Sequence, residues 1–189
     1  MKIQPIKTLN FKNNINPIAK KEALIIYNEN GTKPIYREFF DGSVEEYFGD
    51  GTLSRRVEDD GSEVRFYNRK QKRYESFPSG VWKSYHPNGN LMMQELKDGQ
   101  FERYNQEGDI EYISYPSGYE MEYLDDVGLV FERDKDGLWK YSYQDNGAKA
   151  AELLSNKTKR FYNRDGSIKF TLKPTDKLYH NDTIDLIFA

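Results

Sequence analysis

Residues 79–97 read SGVWKSYHPNGNLMMQELK, and residues 98–116 read DGQFERYNQEGDIEYISYP. Laid one beneath the other, they align Gly80 with Gly99, Trp82 with Phe101, Tyr85 with Tyr104 and Gly89 with Gly108. The same step of 19 residues runs outward in both directions. Gly42, Gly61, Gly80, Gly99, Gly118 and Gly137 stand in phase, each preceded by Asp or Ser. The next step lands on Asn156, and Asn follows Gly in tolerance of left-handed backbone. A second series follows nine or ten residues behind the first: Gly51, Gly89, Gly108, Gly128, Gly147 and Gly166, with Lys70 filling the vacant slot. An aromatic recurs five residues after the first glycine, at Tyr47, Phe66, Tyr85, Tyr104 and Tyr123, and shifts by one to Tyr143 and Tyr162. Seven units cover 41–173, and a degenerate one covers 22–40.

Each unit holds two short runs rich in Tyr, Phe, Val and Ile, separated by Gly-bearing turns such as Pro87-Asn88-Gly89 and Arg164-Asp165-Gly166. Runs of that length bounded by Asn, Asp and Gly read as strands joined in hairpins. A turn signal every nine or ten residues leaves no room for ordinary helices. The expected fold is all-β: an elongated, twisted antiparallel sheet of consecutive 19-residue β-hairpin repeats. Hydrophobic residues make up 37% of the chain, below the roughly 45–50% of an ordinary domain, so a deep closed core is not expected. Aromatics at 15% argue against disorder. Charged residues inside the runs, Lys83, Glu102 and Arg103 among them, fit a sheet wetted on both faces.

The unit 79–97 resembles the MORN-repeat variant found in bacterial antitoxin-like proteins, through Gly80, Trp82, Tyr85, Asn88-Gly89, Leu91 and Lys97-Asp98-Gly99. Units 98–116 and 136–155 keep the pattern through Phe101, Tyr104, Gly108, Asp136-Gly137, Trp139, Tyr143 and Asn146-Gly147; unit 60–78 departs from it. The resemblance implies one long sheet of hairpins and an interaction role: scaffolding, membrane apposition or neutralisation of a toxin. The stretch Tyr162–Ile168 is also similar to YD repeats of the RHS type, which implies a structural shell fragment. Choline-binding repeats are similar in length, but they need paired aromatic cages, and Trp82 and Trp139 are the only tryptophans.

Net charge is −3, divided unevenly. Residues 1–21 carry five lysines and no acid; the remainder carries 23 basic and 31 acidic residues, or −8. The expected organisation is a basic, flexible leader over 1–21, a repeat domain over 22–173 and a C-terminal cap or extension over 174–189. Ala23–Tyr27 and Thr183–Phe188 are expected to cap or extend the ends of the sheet, whose edges otherwise expose unpaired backbone and offer a route to oligomers; the alternative for the C-terminal segment is that it packs on a face of the sheet. The leader is the one candidate for membrane contact. No basic stripe marks a nucleic-acid binder. With no apolar signal run near the start and no stretch approaching the ~18 apolar residues of a membrane span, the expected location is cytoplasmic, with non-classical export left open; the lack of Cys does not fix the compartment.

No catalytic set, metal site or cofactor site emerges. His86 sits in a turn and His180 in a polar tail, far apart in sequence, whereas zinc needs three or four convergent ligands. Glu45-Glu46, Asp59-Asp60 and Asp125-Asp126 fall in or near repeat turns, where Asp is favoured by its own hydrogen bonds. Gly42, Gly61, Gly80, Gly99, Gly118 and Gly137 are structural turn residues. Trp82, Phe101, Trp139, Tyr85, Tyr104 and Tyr123 are the candidate partner-binding residues, since aromatics dominate binding energy at interfaces; for Tyr85, Tyr104 and Tyr123, in register, a structural ladder is the other reading. The expected function is non-enzymatic protein interaction. The acidic body favours a basic protein partner, such as a toxin acting on nucleic acid. A carbohydrate- or envelope-binding role for the aromatics is the alternative.

Overall fold

The computed structural model describes residues 20–68, 70–124 and 127–189. The leader up to residue 19 and Asp125-Asp126 lie outside the described residues. Two compact units divide the chain, Met1–Lys97 and Asp98–Ala189. The first contains β1 (Glu22–Tyr27), β2 (Pro34–Phe39), β3 (Val44–Tyr47), β4 (Leu53–Val57), β5 (Glu63–Phe66), β6 (Lys72–Ser76), β7 (Trp82–Tyr85) and β8 (Leu91–Glu95). The second contains β9 (Phe101–Tyr104), β10 (Ile110–Ser114), β11 (Glu120–Leu124), β12 (Leu129–Arg133), β13 (Trp139–Tyr143), β14 (Lys149–Leu153), β15 (Lys159–Tyr162) and β16 (Ile168–Leu172). A 3-10 turn (Lys177–His180) and one helix, α1 (Thr183–Phe188), follow. Within each unit every strand pairs antiparallel with its neighbour in sequence. The fold is all-β, built of consecutive hairpins.

The turns explain the period. The residue before each left-handed glycine is usually Asp or Asn, and its side-chain oxygen accepts the N–H two residues ahead: Asp41 from Ser43 at 2.9 Å, Asp60 from Ser62 at 2.7 Å, Asn88 from Asn90 at 3.0 Å. This local bond shapes the turn, and the next residue must then take positive φ. The six in-phase glycines all do so, with φ between 76° and 88°. Asn156 is the informative exception. It accepts from Thr158 N–H at 3.1 Å, filling the Asp position, and the positive φ falls on Lys157 at 63°. The phase has therefore slipped by one residue. Lys157→Gly is expected to raise stability by about 0.5–1 kcal/mol: left-handed backbone costs a side-chain-bearing residue roughly 1–2 kcal/mol, partly offset by the extra chain entropy of glycine. A thermal midpoint below that of the parent contradicts this.

The extra residue lies between β13 and β14. In a regular hairpin Phe48 N–H bonds Thr52 O and Gly51 N–H bonds Phe48 O; here Tyr143 N–H bonds Ala148 O and Gly147 N–H reaches back four residues to Tyr143 O. Tyr143 is consequently no shifted member of the tyrosine column. It opposes Leu129 across the ladder and is buried at 5% exposure.

Register also decides where a core can exist. In the first unit the row Tyr36, Glu46, Arg55, Arg65, Tyr74, Ser84 and Met93 runs straight across neighbouring strands. Its middle is charged. Arg55 and Arg65 face each other, and Glu63 accepts from both while Glu46 takes a further bond from Arg55. The absence of a deep core is met there, where Phe39, Ser43 and Ser84 are the buried residues among those described. The second unit departs from that expectation. Its corresponding row reads Arg103, Tyr112, Glu122, Phe131, Tyr141, Ala151, Phe161 and Phe170. At its C-terminal end Leu129, Tyr143, Ala150, Ala151, Phe161, Leu172, Leu186 and Ile187 close into a small apolar core.

Leu186 and Ile187 belong to α1. The segment Thr183–Phe188, expected at an end of the sheet, instead packs as a helix on the face over β14 and β15. Asp182 caps it by accepting Ile184 N–H at 2.8 Å, and small side chains at Ala150 and Ala151 leave room for its close approach. Lys169 donates to Ile187 O at 3.2 Å, placing a cation at the helix C-terminus, where the dipole favours one. Ala23–Tyr27 lies within β1 at the outer edge of the first unit. At the boundary of the leader, Lys20 already pairs with Glu58 at 2.7 Å, and the Lys21 ammonium lies over the Phe40 ring.

Candidate interaction face

Alternation along a strand places residues i and i+2 on one face. Trp82, Phe101 and Trp139 stand two residues after their glycines; Tyr85, Tyr104 and Tyr123 stand five after theirs. The two sets therefore point to opposite faces of their sheets. In the first unit Trp82 stacks on Tyr74 with centroids 6.3 Å apart and donates from Nε1 to Glu95 at 2.8 Å. In the second, Phe101 and Trp139 share the face of the aromatic row.

The opposite face is a tyrosine–carboxylate surface. Tyr47 donates to Glu45, Tyr85 to Glu75 at 2.5 Å, Tyr104 to Glu102 and Tyr162 to Glu152. Burial, followed by the bond to Glu45 and its charge, pushes the Tyr47 phenol up to about 12; Tyr85 is raised for the same reasons by Glu75. Burial works against the Glu45 carboxylate, but bonds from Tyr47 and Arg56 and the charges of Arg56 and Arg37 outweigh it, leaving Glu45 below its ordinary range. The signs follow. The phenol's contribution to stability is present below its ordinary titration and lost as pH rises through about 12. The carboxylate's contribution is present above its ordinary range and lost as pH falls. In a spectrophotometric titration Tyr47 and Tyr85 are expected to remain protonated at about pH 11, where ordinary tyrosines are largely ionised. Glu45→Gln should lower the Tyr47 midpoint; an unmoved midpoint contradicts the assignment.

The aromatic face of the second unit is different in character. Phe131 and Tyr141 lie with ring centroids 5.0 Å apart, Trp139 and Tyr141 at 5.6 Å, and Phe101 and Tyr112 at 6.1 Å. All five are half-buried. Helix α1 packs over β14 and β15, and the row extends away from it over β9–β12. Both arginines of that stretch are engaged. Arg103 bonds Glu111 at 3.2 Å, approaches Glu122 at 3.5 Å and lies over the Tyr112 ring; Arg133 pairs with Glu120, which also accepts the Tyr112 hydroxyl at 2.5 Å. A groove of about 580 Å³ runs here, lined in part by Arg103, Glu107, Glu111, Glu122, Leu124 and Ile184. Burial, then the charges of Asp182 and Glu122, raise the Tyr141 phenol.

The charge behind this geometry is concentrated. Residues 98–134 contain 11 acids and two arginines, or −9; residues 135–189 contain seven acids and ten basic residues, or +3. Sequence reading by glycine phase missed Tyr112 and Phe131. They belong to a further 19-residue column, 13 after the first glycine: Arg55, Tyr74, Met93, Tyr112 and Phe131. That column and a windowed charge count were the available signals.

The other singled-out groups stay apart. Glu45 and Glu46 are in β3, not in a turn, and point to opposite faces, where Arg56 and Arg55 take them up. Asp60 holds its turn. His86 is in the β7–β8 turn and His180 ends the 3-10 turn. Among the described residues no three or more His, Asp or Glu converge as metal ligands, and no helix is long and apolar enough to cross a membrane.

The fold places the chain in the class of antiparallel hairpin-repeat proteins. No protein-family model matches it, and no curated protein matches it. Among solved structures, the TCP10 domain of Danio rerio CPAP in complex with a peptide of STIL is 20% identical, covering 82% of this chain and 99% of that one, with a TM-score of 0.41. The TCP domain of Drosophila melanogaster SAS-4 in complex with a proline-rich motif of Ana2 is 18% identical, covering 84% and 99%, with a TM-score of 0.46. At these values the likeness identifies neither a partner nor an activity for this chain.

Proposed function

We propose that this chain is a non-enzymatic protein-interaction module, working in the cytoplasm and related to the MORN-repeat variant. The observation that carries the reading is the half-buried aromatic row of the second unit, extending beyond its own helix across residues 98–134, whose sequence, counted over both faces and the turns, has a charge of −9. Such a face offers apolar contact area and attracts cations, and oppositely charged surfaces steer one another into encounter. The sharper form of the proposal is an antitoxin or immunity role, with a basic toxin acting on nucleic acid as the partner. Affinity capture on the immobilised full chain tests it. A basic protein retained at low salt and released as salt rises is the expected result. Recovery of no protein, or binding indifferent to salt, overturns the proposal.

A further inference from the structure

Resting on that reading, we infer that the β9–β12 stretch of the aromatic face receives a basic amphipathic helix of the partner protein. Strands β10, β11 and β12 are each paired on both sides, so this surface has no open ladder with which to satisfy an added strand. It presents side chains only. A segment lying on it must satisfy its own N–H and C=O groups, and a helix does so internally.

The fold itself holds a precedent. Helix α1 lies on the same face, and its Leu186 and Ile187 close over the row's Ala151 and Phe161. The row from Arg103 in β9 to Phe131 in β12 crosses three strand intervals, about 14 Å, which a helix of roughly three turns covers at 5.4 Å per turn. Apolar side chains at i, i+3 or i+4, and i+7 share a helix face and would meet Phe101, Tyr112 and Phe131.

Charge selects the flanks. Arg103 and Arg133 are already paired to carboxylates, and the surrounding excess of acid includes Glu107 and Asp109, exposed in the β9–β10 turn. A helix with lysine or arginine beside its apolar stripe matches this surface; an acidic helix is repelled.

The test uses the full chain and a labelled 14-residue Leu/Lys peptide whose leucines share one helical face. Two controls accompany it: the same composition rearranged so that the leucines are scattered, and the original pattern with glutamate in place of lysine. The Leu/Lys helix should bind at least tenfold more tightly than the rearranged peptide, and the glutamate form should not bind. Raising NaCl from about 50 to 300 mM should weaken binding at least tenfold, since exposed charge is screened. Glu107→Lys combined with Asp109→Lys changes two exposed turn side chains, at the cost of the 3.4 Å bond from Asn105 to Asp109, and should weaken binding at least tenfold. Tyr112→Thr, which also removes the bond to Glu120, should weaken it several-fold with a lowered melting midpoint and the chain still folded. Equal binding of the rearranged peptide, or an unaffected double variant, overturns the assignment. If the peptides fail while both the parent and the double variant capture the same cellular protein, the surface is wrong and the interaction reading stands. If capture also fails, the interaction reading falls with it.

Discussion

Replacing Phe161 by alanine is expected to destabilise the second unit by about 3–5 kcal/mol, the usual cost of deleting a fully buried phenylalanine. Phe161 is inaccessible to solvent and stacks on Phe170 with centroids 4.5 Å apart. It sits opposite Ala151 on one side and Phe170 on the other, with Leu129, Leu186 and Ile187 in the same cluster. No large neighbour flanks it on the β14 side, so the cavity would not refill by a simple rotamer change. Urea unfolding followed with residue-resolved hydrogen exchange checks the effect. Exchange should accelerate across β13–β16 and stay unchanged across β3–β6, whose row is held by Arg–Glu pairs. A loss below about 1 kcal/mol, outside the range for buried phenylalanine, would mean that Phe161 is not sealed.

Ending the chain at Lys173 is the second change with a large expected effect. It removes Leu186 and Ile187, 7% and 4% exposed, and each such burial contributes about 1.5–3 kcal/mol. It also uncovers Phe161, Leu172 and Ala151 together. The expected loss is about 3–5 kcal/mol, lessened by the ordering entropy that α1 no longer demands, with new binding of an apolar dye. An unchanged melting midpoint and no dye binding would contradict the packing of α1. The dye arm separates the loss of a cover from a simple loss of chain length.

The hairpins are legible in the sequence because turn geometry is local. An Asp or Asn before a glycine writes the turn where it stands, and six glycines in phase repeat the statement. Asn156 shows where that reading slips: the residue type best suited to positive φ is already committed as the side-chain acceptor, so the strain passes to Lys157. The face assignment is less legible. A two-residue period is readable only once the bulges and the longer β13–β14 loop are placed; Tyr143, four residues after Trp139 in β13, shares the face of Trp139 and not that of Tyr104. Glu45 and Glu46 look like a turn pair in sequence because the strands are short and charged; only cross-strand register assigns them to Arg56 and Arg55.

The packing of Thr183–Phe188 on a face is one of the two alternatives open in the sequence, but its helical form is not legible there, for a different reason. In a chain punctuated every nine or ten residues, an apolar hexapeptide near the C-terminus resembles one more strand. Yet Asp182-Thr183-Ile184-Asp185 places a capping residue and an acid in the first turn, a helix-start pattern. Its docking place depends on Ala150 and Ala151, whose meaning is volume and not periodicity. The site residues follow the same logic. Trp82, Phe101 and Trp139 are conspicuous by composition, whereas Tyr112 and Phe131 gain their role from lying straight across from Arg103, Glu122 and Tyr141.

On this account α1 seals one stretch of the second unit's aromatic face and leaves the β9–β12 stretch to a partner. Solvent paramagnetic relaxation, read on assigned side-chain protons of the full chain, tests it most directly. Strong enhancement at Phe101, Tyr112 and Phe131, with Leu129, Phe161, Leu186 and Ile187 protected, is the predicted result. Equal protection of both groups would show that stretch to be covered already, and equal enhancement would show that α1 seals nothing; either contradicts the account.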